Sequence, residues 1–466
     1  MNVGGAAREM LFPAHNPTRP QTFLVRSGSK RVPWCAVVLP LLMIATATAA
    51  EDRETCQKAE GQAAVAACTA VISSGQLQGH DLAAAYFSRA FNLNKLGEAD
   101  RAIADYSEAI RLDPKYVVAL NNRCAVYNAK HEYDRAIHDC EQALQLNPNY
   151  ANAYLGRANA LRNKGAYDQA IKDYEQVIRL DPKTVGGFFG RALTLGAKGE
   201  YDRAIQDYSI VIERNPRDQV ALNNRGVLYE KIRNYDRAIR DFDGAITLNA
   251  KYDLALANRC LTLNRKRDFD RAIEDCNRAI ELNPRYATAY VTRGQSYQGK
   301  GDHPRAIEDF NRAIELNPGS ANAFYGRAFS HDSLGDSAGA IADYSKVIEF
   351  DPESIGAWNG RCWARAVVGD LEKALEDCNR ALTMRPGYSN ALDSRGLVHL
   401  KMGKLDNAIA DYTSALELQQ KNASSLYGRG IANAKKGDEK AARADIEAAK
   451  AIDADIEEDF KRYGVH

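Results

Sequence analysis

The chain has 466 residues, 45% of them hydrophobic and 26% charged, with 62 Lys and Arg against 61 Asp and Glu. So even a balance excludes a polybasic nucleic-acid binder and an acidic disordered tail. The length alone would accommodate two or three globular domains.

Residues 1–50 read as an export signal with a long leading stretch. Arg26, Lys30 and Arg31 precede an uncharged run from Val32 to Ala50 that ends in small residues just before Glu51. A basic flank, an apolar centre and a small-residue exit are the pattern of a secretory signal, cut here after Ala49 or Ala50. An uncleaved inner-membrane anchor is the alternative, since about 18 apolar residues can span a bilayer. Pro40 and the Ala/Thr tail weigh against it, and the start is open between Met1 and Met10. The expectation is a secreted or periplasmic protein that meets a membrane only through this signal. Cleavage removes Cys35 and leaves eight of the nine cysteines, an even number that suits disulfides in an exported chain.

Residues 51–82 are expected to form a capping helix pair, with Ala64, Cys68, Val71 and Ile72 facing inward and a loop from Ser73 to Asp81. From there the sequence is periodic. Pro114, Pro148, Pro182, Pro216, Pro284, Pro318, Pro352 and Pro386 lie on one 34-residue grid, with Ala250 and Gln420 at two grid points that lack proline. Setting the proline at position 32 gives eleven consecutive repeats over 83–456 without insertion.

Each repeat carries two helical periods. In the one from Ala151, Tyr154, Ala158 and Leu161 share one face, and Ala170, Tyr174, Val177 and Ile178 share another. Gly165 suits a left-handed helix end, Asp168 a following N-cap, and Pro182 a stop after Leu180. Pro304 fits a first helical turn. Residues 457–466, with Phe460, Tyr463 and Gly464, read as a short C-terminal cap that restarts a first helix in register.

An aromatic residue, then small residues, then a terminal proline recur in each repeat, as in Trp358, Cys362, Ala374, Ala381 and Pro386. By this pattern the sequence resembles the tetratricopeptide repeat family over about four-fifths of its length. The resemblance implies an all-α fold, an α-solenoid in which helix-turn-helix pairs wind into a right-handed superhelix with a concave binding face. It also implies a protein–protein scaffold or adaptor with no cofactor and no enzymatic activity.

Two patterns set this chain apart. Position 7 is arginine and position 23 aspartate in all eleven repeats, Arg225 and Asp241 among them. With the turn near position 16, these face each other across the helix pair, as structural ion pairs or, alternatively, as an anion-binding strip. Cys124 and Cys140, Cys260 and Cys276, and Cys362 and Cys378 hold positions 8 and 24 of single repeats, and Cys56 and Cys68 flank Gly61. Four local disulfides are expected, against the alternative of small buried thiols. Zinc is disfavoured because no Cys-x-x-Cys occurs and the eight histidines are scattered. His331 and His399, both at position 11, read as packing residues, and no phosphate loop, nucleophile elbow or His-Glu-x-x-His is present.

In the family, first-helix positions 2, 5, 9 and 12 line the groove. Here positions 2, 5, 6 and 9 hold no lysine or arginine, which argues against a clamp for terminal carboxylates. The face instead combines the amides Asn121, Asn152, Asn159, Asn223, Asn322 and Asn359 with Phe91, Leu155, Phe189, Tyr325, Phe329, Trp363 and Tyr427. Asparagine can both donate to and accept from a peptide backbone. The expected partner is a protein or an extended peptide in the cell envelope, with no nucleic acid and no metal. A carbohydrate or cell-wall adaptor is the first rival, since aromatics and amides also suit sugars, and an enzyme with an unrecognised site is the second.

Overall fold

A computed structural model of the protein describes residues 52–465. The expected export signal, with Cys35 and both candidate starts, lies outside the described residues. All regular structure among the described residues is helical. The chain divides into two compact units, the first ending at Ile232 and the second beginning at Arg233. The division falls between the two helices of the repeat that starts at residue 219.

The first unit holds α1 (52–58), α2 (Gly61–Ser73), α3 (Gly79–Lys95), α4 (Ala99–Leu112), α5 (Val117–Ala129), α6 (Tyr133–Leu146), α7 (Ala151–Asn163), α8 (Tyr167–Leu180), α9 (Val185–Lys198), α10 (Tyr201–Arg214) and α11 (Gln219–Lys231). The second holds α12 (Tyr235–Leu248), α13 (Asp253–Arg265), α14 (Phe269–Leu282), α15 (Ala287–Gly299), α16 (His303–Leu316), α17 (Ala321–Ser333), α18 (Ser337–Phe350), α19 (Ile355–Val368), α20 (Leu371–Met384), α21 (Ser389–Lys401), α22 (Leu405–Leu418), α23 (Ala423–Lys436), α24 (Glu439–Ile452) and α25 (Ile456–Arg462). Each unit is an α-solenoid of stacked helix pairs.

Local chemistry sets these boundaries. α7 ends where Gly165 takes a left-handed backbone, φ 82°. The Ala166 N–H then closes back on the Leu161 carbonyl at 2.9 Å, satisfying a helix-end acceptor. α8 starts at Tyr167 with Ala166 as its cap, so Asp168 lies inside the first turn and not at the cap as expected. There it faces the positive end of the helix and pairs with Lys198 of the next repeat at 2.8 Å. Pro304 occupies the first turn of α16 behind the Asp302 cap. His131, Arg233 and Arg267 take the left-handed turn position without being glycine, at φ 62°, 61° and 65°.

One core contact recurs between repeats. Position 24 is a buried ring in Tyr106, Tyr174, Tyr208, Phe242, Phe310, Tyr344 and Tyr412. Four of these rings lie on a glycine at position 6 of the following repeat. A Cβ on Gly190 would come 2.3 Å from Tyr174, on Gly326 2.4 Å from Phe310, on Gly360 2.4 Å from Tyr344, and on Gly428 2.3 Å from Tyr412. Burying such a ring contributes about 1.5–3 kcal/mol, so the glycines make room for a main source of stability. Within its own repeat the ring faces a small residue at position 8, as Phe310 faces Gly294 and Tyr412 faces Gly396.

Three repeats replace this ring-on-small contact with sulfur. The structure brings Cys124 and Cys140, Cys260 and Cys276, and Cys362 and Cys378 to disulfide geometry, with Cα separations of 5.7, 5.5 and 5.4 Å. Cys56 and Cys68 do the same between α1 and α2 at 4.6 Å. All eight cysteines are buried. Ahead of the first repeat, α3 begins at Gly79, one turn earlier than the periodic frame, so the loop expected to reach Asp81 spans only 74–78. Asp81 sits in the first turn of α3 and accepts from Arg53 at 2.8 Å.

Candidate functional site

Within each unit, first helices of successive repeats touch, as α5 does α7, α13 does α15 and α19 does α21. No comparable contact joins successive second helices among the described residues. The first helices therefore line the inner side of each stack, and side chains at positions 2, 5 and 9 form its surface.

Beneath that surface runs the arginine–aspartate ladder. In Arg123, Nε and Nη2 donate to the two Asp139 carboxylate oxygens at 2.7 and 2.8 Å, while Nη1 reaches back to the Ser107 hydroxyl of the preceding repeat at 2.8 Å. The same two-armed grip joins Arg89–Asp105, Arg157–Asp173, Arg191–Asp207, Arg259–Asp275, Arg293–Asp309, Arg327–Asp343, Arg361–Asp377, Arg395–Asp411 and Arg429–Asp445. The third arm meets position 25 of the preceding repeat in Arg259 to Asp243, Arg293 to Asn277, Arg361 to Ser345 and Arg395 to Asn379. These guanidinium groups are engaged internally, which leaves the anion-strip alternative without its donors. Arg225 donates its third arm to Ser209 at 3.0 Å, and Arg225 and Asp241 fall one in each unit.

The expected groove residues separate into three groups. Phe91, Tyr325 and Phe329 are open to solvent at 40%, 39% and 49% exposure, and Asn152 and Asn322 are exposed as well. Lys95 stands 4.8 Å over the Phe91 ring, and His303 lies 6.2 Å from Phe329. Asn121, Leu155, Asn159, Phe189 and Asn359 are half-buried, and Asn223 is buried. Asn159 accepts from the Tyr174 hydroxyl at 2.7 Å, and Phe189 meets Tyr208 edge-on at 5.5 Å, so these two serve the stack first. At position 12, Asn128, Asn264 and Gln298 donate to carbonyls of the next repeat, those of Gly156, Thr292 and Gly326.

Trp363 and Tyr427 form the third group, and here the sequence expectation needs correcting. α25 does not restart a first helix in register. A helix continuing the stack would stand three repeats beyond α19, roughly 24–30 Å away at 8–10 Å per packed helix. Instead the Tyr463 ring meets Trp363 of α19 edge-on at 5.0 Å, and Phe460 meets Tyr427 of α23 at 4.9 Å. The C-terminus turns back across the first-helix face and covers both aromatics. Lys401 of α21 fixes it there, donating from Nζ to the Ala366 and Val367 carbonyls at 2.7 and 3.1 Å and to the Tyr463 carbonyl at 2.6 Å. One ammonium thus serves the carbonyl ends of two helices, where the helix dipole favours positive charge. Burial pushes this ammonium below the ordinary lysine value.

A buried carboxyl and a half-buried one complete the face. Asp393, at position 5 of α21, accepts from the Ser425 and Ser424 hydroxyls at 2.5 and 2.9 Å. Burial pushes it up to about 6 against those bonds. Asp332 of α17 is pushed up to about 7, chiefly by burial, beside Tyr344. Neither Lys401 nor Asp393 stood out in the sequence: aspartate occurs only once at position 5, and Lys401 shares position 13 with Lys95, Lys231 and Lys435, so nothing local set it apart. The histidines at position 11 are more polar than packing residues: His331 lies 2.8 Å from Asp336 and His399 3.1 Å from Asp411. No described helix is long and apolar enough to cross a membrane. No cluster of three or more His, Cys, Asp or Glu that could hold a metal occurs among the described residues.

Family profiles described as tetratricopeptide repeats match residues 83–116, 117–150, 151–184, 189–253, 254–286, 287–320 and 321–354, and one described as a TPR repeat matches 396–437. Among solved structures, a tetratricopeptide repeat protein from Parabacteroides merdae ATCC 43184 is 19% identical over 53% of this chain and 98% of its own, with a TM-score of 0.44. The APC/C hetero-tetramer Cut9–Hcn1 is 15% identical over 84% of this chain and 88% of the matched one, TM-score 0.46. MamA protein is 27% identical over 37% of this chain and 93% of its own, TM-score 0.34. No curated protein matches the sequence.

Proposed function

The chain belongs to the tetratricopeptide repeat family, and on that premise we propose that it is a non-catalytic scaffold that holds extended segments of partner proteins along its first-helix face, in an oxidising compartment of the cell envelope or outside the cell. The repeats make it a protein–protein interaction protein. The observation that carries the finer reading is the open stretch around Tyr325 and Phe329, where large rings stand in solvent on a face without lysine or arginine at positions 2, 5, 6 and 9. Exposed aromatics in a neighbourhood of amides are a usual signature of an interaction surface. The four cysteine pairs at disulfide geometry support the oxidising compartment.

Peptide arrays of envelope proteins, probed with the whole chain beside a glycan array, test this. Extended peptides should bind, Tyr325→Ala with Phe329→Ala should weaken them at least about tenfold, and affinity should change little with salt because positions 2, 5, 6 and 9 carry no lysine or arginine. Binding to glycans alone would favour the carbohydrate adaptor. A steep salt dependence with no effect of the two rings would place the binding surface elsewhere. N-terminal sequencing of protein made in a Gram-negative host should begin near Ala50 or Glu51, and full-length protein confined to the cytosol would remove the envelope from the reading.

A further inference from the structure

The C-terminal helix sits where a partner would. α25 spans seven residues, Ile456 to Arg462, and follows α24 after three residues. A helix that short is marginal in water, so its conformation depends on the surface beneath it. What it presents to that surface is compact: Phe460 and Tyr463, one turn apart, and the Tyr463 carbonyl. What receives it comes from three successive first helices: Trp363 of α19, Lys401 of α21 and Tyr427 of α23. The outer face of the helix is acidic and pairs with lysines, Glu457 with Lys450 at 2.5 Å and Glu458 with Lys461 at 2.8 Å.

The fit is also incomplete. An open cleft of about 390 Å³ runs beside the helix, bordered by Trp363, Asn390, Asp393, Asp459 and Tyr463. A fixed cap closing the end of a stack needs no tie to a repeat three positions back, and the cleft leaves one edge of the helix uncovered although Ile456, Phe460 and Val465 are buried. A surface built to recognise a ligand shows both features when the ligand is one of several it accepts.

We infer that α25 is a resident ligand of this face, and that the external partner recognised by α19, α21 and α23 is a short amphipathic helix with two aromatic residues one turn apart, which binds by displacing residues 456–465. The inference rests on the scaffold reading and adds the partner's chemistry at this end of the molecule. It differs from the stretch around Phe329, which carries no resident segment in the structure and is read as accepting an extended chain. Lys401 sets polarity: the partner's helix must end, carbonyls outward, over its ammonium, since a helix laid in the reverse direction would present N–H groups to a cation.

The test uses the full chain carrying Phe460→Ser and Tyr463→Ser, which frees the face, and a fluorescein-labelled peptide of residues 454–466 with the native sequence. Fluorescence anisotropy should find the peptide bound to this variant at least tenfold more tightly than to the unaltered chain. Trp363→Ala added to the variant, or Phe460→Ala in the peptide, should each reverse the gain. Equal binding to both chains, with the variant folded by circular dichroism, overturns the inference. If the variant does not fold, hydrogen exchange on the unaltered chain decides. Amides of 456–465 should exchange at least a hundredfold faster than those of α23 and α24, by local opening, and faster still in Lys401→Met. Exchange of all three helices in one cooperative event would make α25 a fixed cap and overturn the inference equally. Failure of the peptide together with retained binding of extended segments by the unaltered chain removes this inference alone, whereas loss of both removes the scaffold reading with it.

Discussion

Tyr344 lies so closely over Gly360 of the next repeat that a β-carbon there would stand 2.4 Å from the ring. Neither residue can change without the other, because the ring fills the space the glycine leaves. Gly360→Ala should therefore destabilise the second unit by about 1–3 kcal/mol, the usual range for an overpacked core. Tyr344→Leu in the same chain should recover part of that loss. A urea titration of the two single variants and the double one measures the coupling, and additive effects would mean that the ring moves aside freely.

The ladder can be tested at Arg123 and Asp139, whose side chains are 16% and 2% exposed. Removing either partner leaves the other buried and uncompensated, at a cost of several kcal/mol, commonly 3–5. Asp139→Ala should be the worse change, since it strands the guanidinium and opens a void, while Arg123→Leu restores apolar packing. The double variant Arg123→Leu with Asp139→Leu should be milder than Asp139→Ala. Thermal midpoints that barely move in either single variant would show the pairs to be solvent-screened decoration.

Non-reducing peptide mapping of exported protein should find Cys56–Cys68, Cys124–Cys140, Cys260–Cys276 and Cys362–Cys378. The sequence separations are 12 for the first and 16 for the others. Loops of that size are worth up to about 3 kcal/mol each in the chain-entropy picture. Reduction should accordingly lower the thermal midpoint, and eight titratable thiols in oxidised material would exclude the bonds.

Asp393 makes stability depend on pH in a direction opposite to most carboxyls. Its folded value, pushed up to about 6 chiefly by burial, stands above the unfolded value of about 3.9. The folded chain therefore holds the proton more tightly, and the stability this confers is full below pH about 4 and lost as pH rises through about 6. The loss is on the order of 2–3 kcal/mol. Asp393→Asn should remove that slope and stabilise the protein at neutral pH. Chemical denaturation of both proteins at acidic and neutral pH measures it, and parallel curves would place the carboxyl in contact with solvent.

The repeat frame was legible because it is written many times over. The proline grid, the glycine turn and the Arg–Asp spacing each recur at a fixed interval, so local chemistry alone located α7, α8 and their neighbours. The cysteine couples were legible for the same reason, since they substitute for a contact that other repeats make with Tyr or Phe against Ala or Gly. The path of α25 was not legible. Phe460 and Tyr463 fall in register with a further repeat, and only the three-dimensional surface carrying Trp363, Lys401 and Tyr427 gives them another place to go. The cap was placed two residues late, at Asp168, because an aspartate in the first turn gains from the helix dipole almost as a capping one does. The open rings Phe91, Tyr325 and Phe329 could be picked out, whereas Phe189 and Asn159 could not be told from them, since the difference lies in which ring of the neighbouring helix reaches across.

The third arm of each arginine fixes how such a chain can change in length. Arg123 reaches Ser107, Arg361 reaches Ser345 and Arg395 reaches Asn379, each sixteen residues back into the previous repeat, while Arg89 of the first repeat reaches Thr69 of the cap. Excising or duplicating one whole repeat rebuilds the same contact across the new joint, because every repeat offers a polar group to the next and takes one from the last. Any other insertion would set an arginine against the wrong neighbour. Copy number is thus the one dimension in which this protein can be remodelled by simple recombination, leaving the rungs on either side of the joint intact.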